Sequence, residues 1–189
     1  MKIEQSELIK ELRDLTKQAS AQVSEFKLYT AEQLNFKPSA SQWSILECIE
    51  HLCLYGKFYL PEIENRITNV EPVNNPPFKS GVLGNYFVGM IKASNTKKIT
   101  ATKQMDSTGS ELNMSSINQF LKQLEWLDSL LIKAEKTNLT KIKTAISLSK
   151  MVKLRLGDTL RFLVYHNERH ILQATQINLK PATKKAETL

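Results

Sequence analysis

Tyr165-His166-Asn167-Glu168-Arg169-His170-Ile171-Leu172-Gln173 lies near the end of the chain and carries two of its three histidines. The residues around it have helical spacing. Leu156, Thr159, Leu163, His166, His170, Gln173 and Ile177 recur every third or fourth position, as a core-facing stripe does on a helix of about 3.6 residues per turn. His166 and His170 therefore share a face with side chains that belong in a core. Burying two imidazoles and an amide in a row is unfavourable unless partners satisfy them. A metal ion is the simplest partner, because an i, i+4 pair offers two ring nitrogens to one ion. The remaining histidine, His51, lies over a hundred residues earlier beside another helical stripe, and completes a possible set of three ligands.

A helix from Leu156 to Asn178, stopping before Pro181 and with Asp158 in its first turn, is long enough to be one member of a bundle. Three others are read from the same periodicity. From Glu4 to Leu34, the positions Leu8, Leu12, Leu15, Ala19, Val23 and Phe26 predict one amphipathic helix of about eight turns. Ser44, with Glu47 three residues on, forms a capping box. It opens a second helix with the stripe Ile45, Ile49, Leu52, Tyr59, Ile63 and Ile67, which Pro61 is expected to kink. The third runs from Ser115 or Ser116 to Lys136 through Ile117, Phe120, Leu121, Leu124, Leu127 and Leu131. Long connections follow the second and third helices. The first holds a short apolar helix over Val82–Ile91 and then a polar stretch, Thr96–Ser110, that reads as a mobile connection. The second, Thr137–Leu156, reads as an extended or short helical segment packed on the bundle surface. The expected fold is all-α: a four-helix bundle in one domain, residues 1–180, with a polar tail at 181–189.

Composition sets limits on function. The chain has 189 residues, 41% hydrophobic and 24% charged, with only six Gly and six Pro, which suits long helices in one sizeable core. No run approaches the roughly 18 apolar residues of a membrane span, and Met1–Glu7 has no apolar leader, so a cytoplasmic protein is expected. Cys48 and Cys53 point about 140° apart on one helix and read as reduced, packed thiols rather than a disulfide. The net charge of +7 is concentrated in Lys133–Arg155, with seven basic residues against Glu135, and in the tail. Few aromatics interleave with it, so a solvated face is favoured over a nucleic-acid surface.

Two stretches carry a resemblance: Gln42-Trp43-Ser44-Ile45-Leu46-Glu47-Cys48-Ile49-Glu50-His51-Leu52, and Leu156-Gly157-Asp158-Thr159-Leu160-Arg161-Phe162 continuing to His166-Asn167-Glu168-Arg169-His170-Ile171-Leu172-Gln173. Together they resemble the W-S-x-x-E-x-x-x-H-L … H-x-x-R-H-x-x-Q pattern of the DinB-like (DinB/YfiT) superfamily. The resemblance implies an up-down-down-up four-helix bundle, usually dimeric. It implies a divalent metal, zinc or nickel, held by His51, His166 and His170. Characterised relatives include S-transferases that use low-molecular-weight thiols.

The other motif residues have competing readings. Glu47, at i−4 from His51, is either an acceptor that orients that imidazole or an exposed helix-face carboxylate. Trp43 is expected to staple its helix to the core. Tyr55, one turn after His51, is a candidate proton donor, and Gln173 a pocket or supporting residue. Arg169 is expected in a structural salt bridge. Glu168 follows Asn167, so His-Glu-x-x-His is absent and no general base is assured. A metal-dependent transferase or hydrolase acting on a small molecule is thus expected, the alternative being a non-catalytic metal- or small-ligand-binding bundle. Its pocket is expected to be built by the two long connections.

Overall fold

The computed structural model describes residues 1–74, 76–95, 101–109 and 111–178. The polar tail expected at 181–189, and positions 96–100 and 110 of the connection expected to be mobile, lie outside the described residues. The chain is mostly helical. Its long helices are α1 (Gln5–Glu25), α3 (Ile45–Ile67), α5 (Met114–Ala134) and α6 (Leu156–Asn178), with shorter α2 (Ala31–Asn35) and α4 (Val82–Ile91) between them. α1 packs on α5 and α6, α3 packs on the same two, and α4 lies on α6.

Local chemistry explains most boundaries. Ser44 and Glu47 form the reciprocal cap of α3: Glu47 N donates to Ser44 Oγ at 3.1 Å, and Ser44 N to Glu47 Oε2 at 2.8 Å. The helix expected over Glu4–Leu34 is divided. A 3-10 turn at Phe26–Leu28 ends the first part, and Thr30 opens α2 with a capping box of its own to Gln33. Thr30 has an extended backbone, φ −69° and ψ 159°, which no continuous helix passes through. Pro61 does not end α3, which continues to Ile67. Pro61 and Lys57 are both exposed, so the carbonyl left without its i+4 N–H lies on the side that water reaches.

Two small sheets accompany the helices. β1 (Lys2–Ile3) pairs antiparallel with β2 (Phe78–Lys79). β3 (Lys143–Ile146) and β4 (Ser149–Arg155) form an antiparallel hairpin, with Thr144 opposite Leu154 and a register shift between Ala145 and Ile146. The Thr137–Leu156 connection is therefore largely a hairpin, with no helix in it. Thr144, Ile146 and Leu154 turn inward while Lys143 and Lys153 face solvent, the alternation of a half-buried strand. Glu62 Oε1 accepts from Ala145 N at 2.9 Å, and the Thr144 and Thr159 hydroxyls bond at 2.6 Å. These contacts fasten the hairpin to α3 and α6.

Asp158 does more than favour its own helix terminus. It is fully buried, and its carboxylate accepts from Ser80 Oγ at 2.5 Å, Gly81 N at 2.8 Å and Arg161 Nη1 at 3.3 Å. Gly81 is the N-cap of α4, so a residue of α6 caps a different helix. A Cβ at Gly84 would overlap the Asp158 carboxyl group, and its absence lets α4 lie close. At the other end of α4, Arg169 Nη1 donates to Lys92 O at 3.2 Å and Asn95 O at 2.6 Å. α4 is thus clamped to α6 at both ends.

The core falls into two clusters along the bundle. One contains Leu8, Leu12, Tyr55, Ile63, Leu127, Leu160 and Tyr165; the other contains Val23, Ile49, Leu52, Phe120, Ile171 and Ala174. Each such side chain contributes about 1.5–3 kcal/mol of burial. α3 passes from one cluster to the other between Leu52 and Tyr55, and α6 between Tyr165 and Ile171. His51 and His166 sit at this handover. Among the described residues, no helix is long and apolar enough to cross a membrane.

Candidate metal centre

The handover level brings His51, His166 and His170 together, with one ligand atom from each inside a group no wider than 4.8 Å. His51 and His166 are only 2% and 4% exposed, and their Nε2 atoms are 3.3 Å apart. Cys48 and Glu47 do not join the cluster. The Cys48 thiol is pushed up to about 12 by burial, which makes it a poor thiolate donor.

Hydrogen bonding fixes which nitrogens face inward. His51 Nδ1 is 2.6 Å from the Met105 carbonyl, which can only accept, so Nδ1 carries the proton and Nε2 is bare. His170 Nδ1 is 2.9 Å from Gln173 Oε1, and the same logic leaves its Nε2 bare. His166 Nδ1 is buried and without a hydrogen-bond partner among the described residues. Its Nε2 either donates to the bare His51 nitrogen or joins it on a cation.

Electrostatics favours the neutral rings. Burial lowers the His51 pKa against the opposing effect of the Met105 carbonyl. Burial, and then the neighbouring His170 and His51, hold His166 well below its ordinary value. Burial and His51 bring His170 down to about 3. The result is three imidazoles that stay unprotonated at neutral pH with lone pairs converging. A divalent ion fits this donor set: three neutral nitrogens bind, and positions remain for water or substrate.

Residues 14–174 match the family model of the DinB superfamily. The chain belongs to the DinB superfamily. No curated protein and no solved structure matches it.

In this DinB-superfamily chain the three histidines line a cavity of about 120 Å³. Aromatic rings pack around them. Trp43 lies 4.7 Å from the His51 ring and 5.7 Å from His170, with its indole N–H donating to Thr108 Oγ1 at 2.9 Å. Tyr55 lies 4.2 Å from His166, and Phe162 stacks on His166 at 5.5 Å with ring planes 10° apart. Both long connections contribute walls, Phe87, Met90 and Ile91 from α4 and Ile146, Ser147 and Leu154 from the hairpin. Among the described residues, no Asp or Glu lines the cavity.

The expected supporting residues are placed as follows. Gln173 bonds to His170. Tyr55 touches two of the histidines, and burial pushes its hydroxyl up to about 12, so it keeps its proton. Glu47 is neither exposed nor on His51. It accepts from Ser44 N, Lys37 Nζ at 2.8 Å and Gly109 N at 3.1 Å. The acceptor that orients His51 is the Met105 carbonyl. Arg169 bonds to backbone carbonyls and also lines the cavity. Trp43 is a wall of the site, beyond the expected helix staple. The segment around Met105, expected to be mobile, is held on α3: Met105 is 7% exposed, and Ser107 Oγ donates to Glu47 O at 2.7 Å.

Proposed function

We propose that this chain is a divalent-metal-dependent enzyme that transfers a low-molecular-weight thiol to a small electrophile. The observation that supports it is the convergence of three neutral imidazoles in the wall of a largely apolar cavity whose described lining holds no carboxylate. A divalent ion held there, zinc or nickel in this reading, would lower the pKa of a bound thiol or water so that a nucleophile exists at neutral pH. His51, His166 and His170 would hold the ion, with the Met105 carbonyl fixing the ring of His51 and Gln173 that of His170. Trp43, Tyr55 and Phe162 exclude water from the imidazoles, and the Tyr55 hydroxyl, kept protonated, can donate a hydrogen bond to a developing negative charge. Hydrolysis would ask for a base beside the water, and the described lining offers no carboxylate for that role. A thiol needs less help because it ionises more readily, which favours transfer over hydrolysis. An up-down-down-up order of the four long helices, a single domain over 1–180, a homodimer and a cytoplasmic location belong to the same reading.

The missing acid–base group also favours a second reading, a non-catalytic bundle that binds a metal or small ligand. Metal analysis of the purified protein, before and after adding zinc or nickel, tests the site. About one equivalent is expected, lost in His51→Ala and His170→Ala. Under about a tenth of an equivalent, unchanged by the variants, would remove the metal-site reading. Thiol-dependent consumption of a panel of electrophiles separates the two functions: metal uptake without any turnover leaves the binding bundle.

A further inference from the structure

We infer that the face formed by α4 and the β3–β4 hairpin docks this protein on an anionic lipid surface, whether or not a metal is bound. Charge is unevenly placed along the chain. All 19 Asp and Glu lie outside residues 72–105 and 136–157, the two connections that build this face, whereas eleven of the 26 Lys and Arg lie within them. The net charge of +7 therefore comes from these connections, and the rest of the chain is net acidic. Lys79, Lys92, Lys103, Lys141, Lys143 and Lys153 are all exposed. Among the described residues, Lys79, Lys92, Lys141 and Lys143 make no ion pair. The Glu62 carboxylate at the hairpin is taken up by Ala145 N and Arg66. Arg155 Nη1 donates to Lys79 O, so the approach to α4 lies against the end of the hairpin and the two basic segments meet.

The same face exposes apolar side chains. Val82 is 94% and Met151 93% exposed, and Leu83, Tyr86 and Leu148 are exposed as well. Val82 and Tyr86 lie one turn apart on α4. Met151 shares the outer side of the hairpin with Lys153, because Val152 and Leu154 are turned further in. Aliphatic groups among lysines match a phospholipid interface: the apolar side chains enter the boundary between headgroups and acyl chains, and the lysines meet the lipid's negative charge. Two other occupants fit less well. A nucleic acid would use the lysines but leave the aliphatic side chains idle, since Tyr86 alone among them could stack on a base. A second copy of the face would bring lysines against lysines, so a homodimer would use another surface. Leu148 also lines the cavity, so docking sets the cavity beside the lipid.

Sedimentation of the full chain with lipid vesicles tests this. Phosphatidylcholine vesicles are compared with vesicles in which about 30% of the lipid is phosphatidylserine, at about 0.15 M salt. The protein is expected to bind the anionic vesicles at least about tenfold tighter than the neutral ones. Each lysine near such a surface is worth about fivefold, so Lys79→Gln with Lys143→Gln should lose about 25-fold. Val82→Ser with Met151→Ser keeps every charge and should still lose at least about tenfold, because two apolar side chains no longer enter the interface. All four positions are exposed and outside the cavity lining, so melting curves of both variants should match the native chain. Equal binding to the two kinds of vesicle, or native affinity in either paired variant, would overturn the inference. So would a DNA duplex bound through Lys79 and Lys143 by a protein that ignores anionic vesicles, which would assign the face to nucleic acid. Self-association lost in Val82→Ser with Met151→Ser, again without vesicle binding, would assign it to a second copy. Vesicle binding of the expected kind in a protein that takes up no zinc upholds the docking face and sinks the metal reading alone.

Discussion

Gln173→Leu isolates the support of one nitrogen of the candidate metal centre without touching a proposed ligand. Gln173 Oε1 holds His170 Nδ1–H at 2.9 Å, so the substitution puts an apolar side chain of similar size on the stripe and removes the amide that accepts from His170. Two consequences follow for His170. Its ring can swing about χ2, and its Nδ1–H loses the partner that selects the Nε2-bare tautomer. Losing such a supporting bond typically weakens metal binding by about 10–100-fold. His170 is half-buried rather than sealed, so water can replace part of the bond. The expected loss is therefore near the lower end, about tenfold, or about 1.4 kcal/mol. Gln173→Glu should preserve or tighten binding, because a carboxylate acceptor raises the basicity of the coordinating nitrogen. Competition for zinc against a chromophoric chelator measures both variants, with melting curves in excess chelator as the control for folding. If Gln173→Leu binds zinc as the native chain does while His170→Ala does not, the tautomer argument is refuted although the ligand stands.

Four further outcomes are expected. In metal-free protein the three histidines have lowered pKa values, so the unfolded chain binds more protons below the ordinary value of 6.5. The stability that these histidines contribute should be level above 6.5 and fall as the pH drops below it, by up to about 1.4 kcal/mol per pH unit for each imidazole. Urea melts on either side of 6.5 measure the slope; for His170 it should persist down to about 3. Asp158→Ala leaves the Arg161 side chain, 4% exposed, without its buried carboxylate, and should cost about 3–5 kcal/mol in a denaturant melt. Gly84→Ala forces α4 away from Asp158 and should cost about 1–3 kcal/mol, with weaker binding of any cavity ligand in a parallel titration. Cys48 and Cys53, both pushed up to about 12 by burial, should resist thiol reagents in the native protein and react promptly in denaturant.

The helices were readable where periodicity and caps agreed. Ser44 and Glu47 mark the start of α3, and the stripe through His166, His170 and Gln173 marks the face of α6 that looks inward. The two-part first helix was also signalled, because Thr30 and Gln33 have capping-box spacing, but the apolar stripe continues across the break and hides it. The hairpin was harder to see. Its turn at Ser147-Leu148 contains no Gly, Asn or Asp, and the register shift between Ala145 and Ile146 breaks the regular pairing of the two strands.

The site divides along a different line. The three clustered histidines and Gln173 could be brought to one face because each is a side chain on a regular helix, where spacing fixes direction. The partner of His51 could not, because it is the backbone carbonyl of Met105, and every residue has a carbonyl. Glu47 looked suitable from its i−4 spacing, yet its carboxylate closes the helix cap and binds Lys37 and Gly109. It acts on the site at one remove. The Glu47 carbonyl accepts from Ser107, and its carboxylate from Gly109 N, so one residue holds the segment that brings Met105 to His51. A polar connection that reads as mobile is thereby part of the candidate metal centre, and changes in it should be felt first in the tautomer of His51.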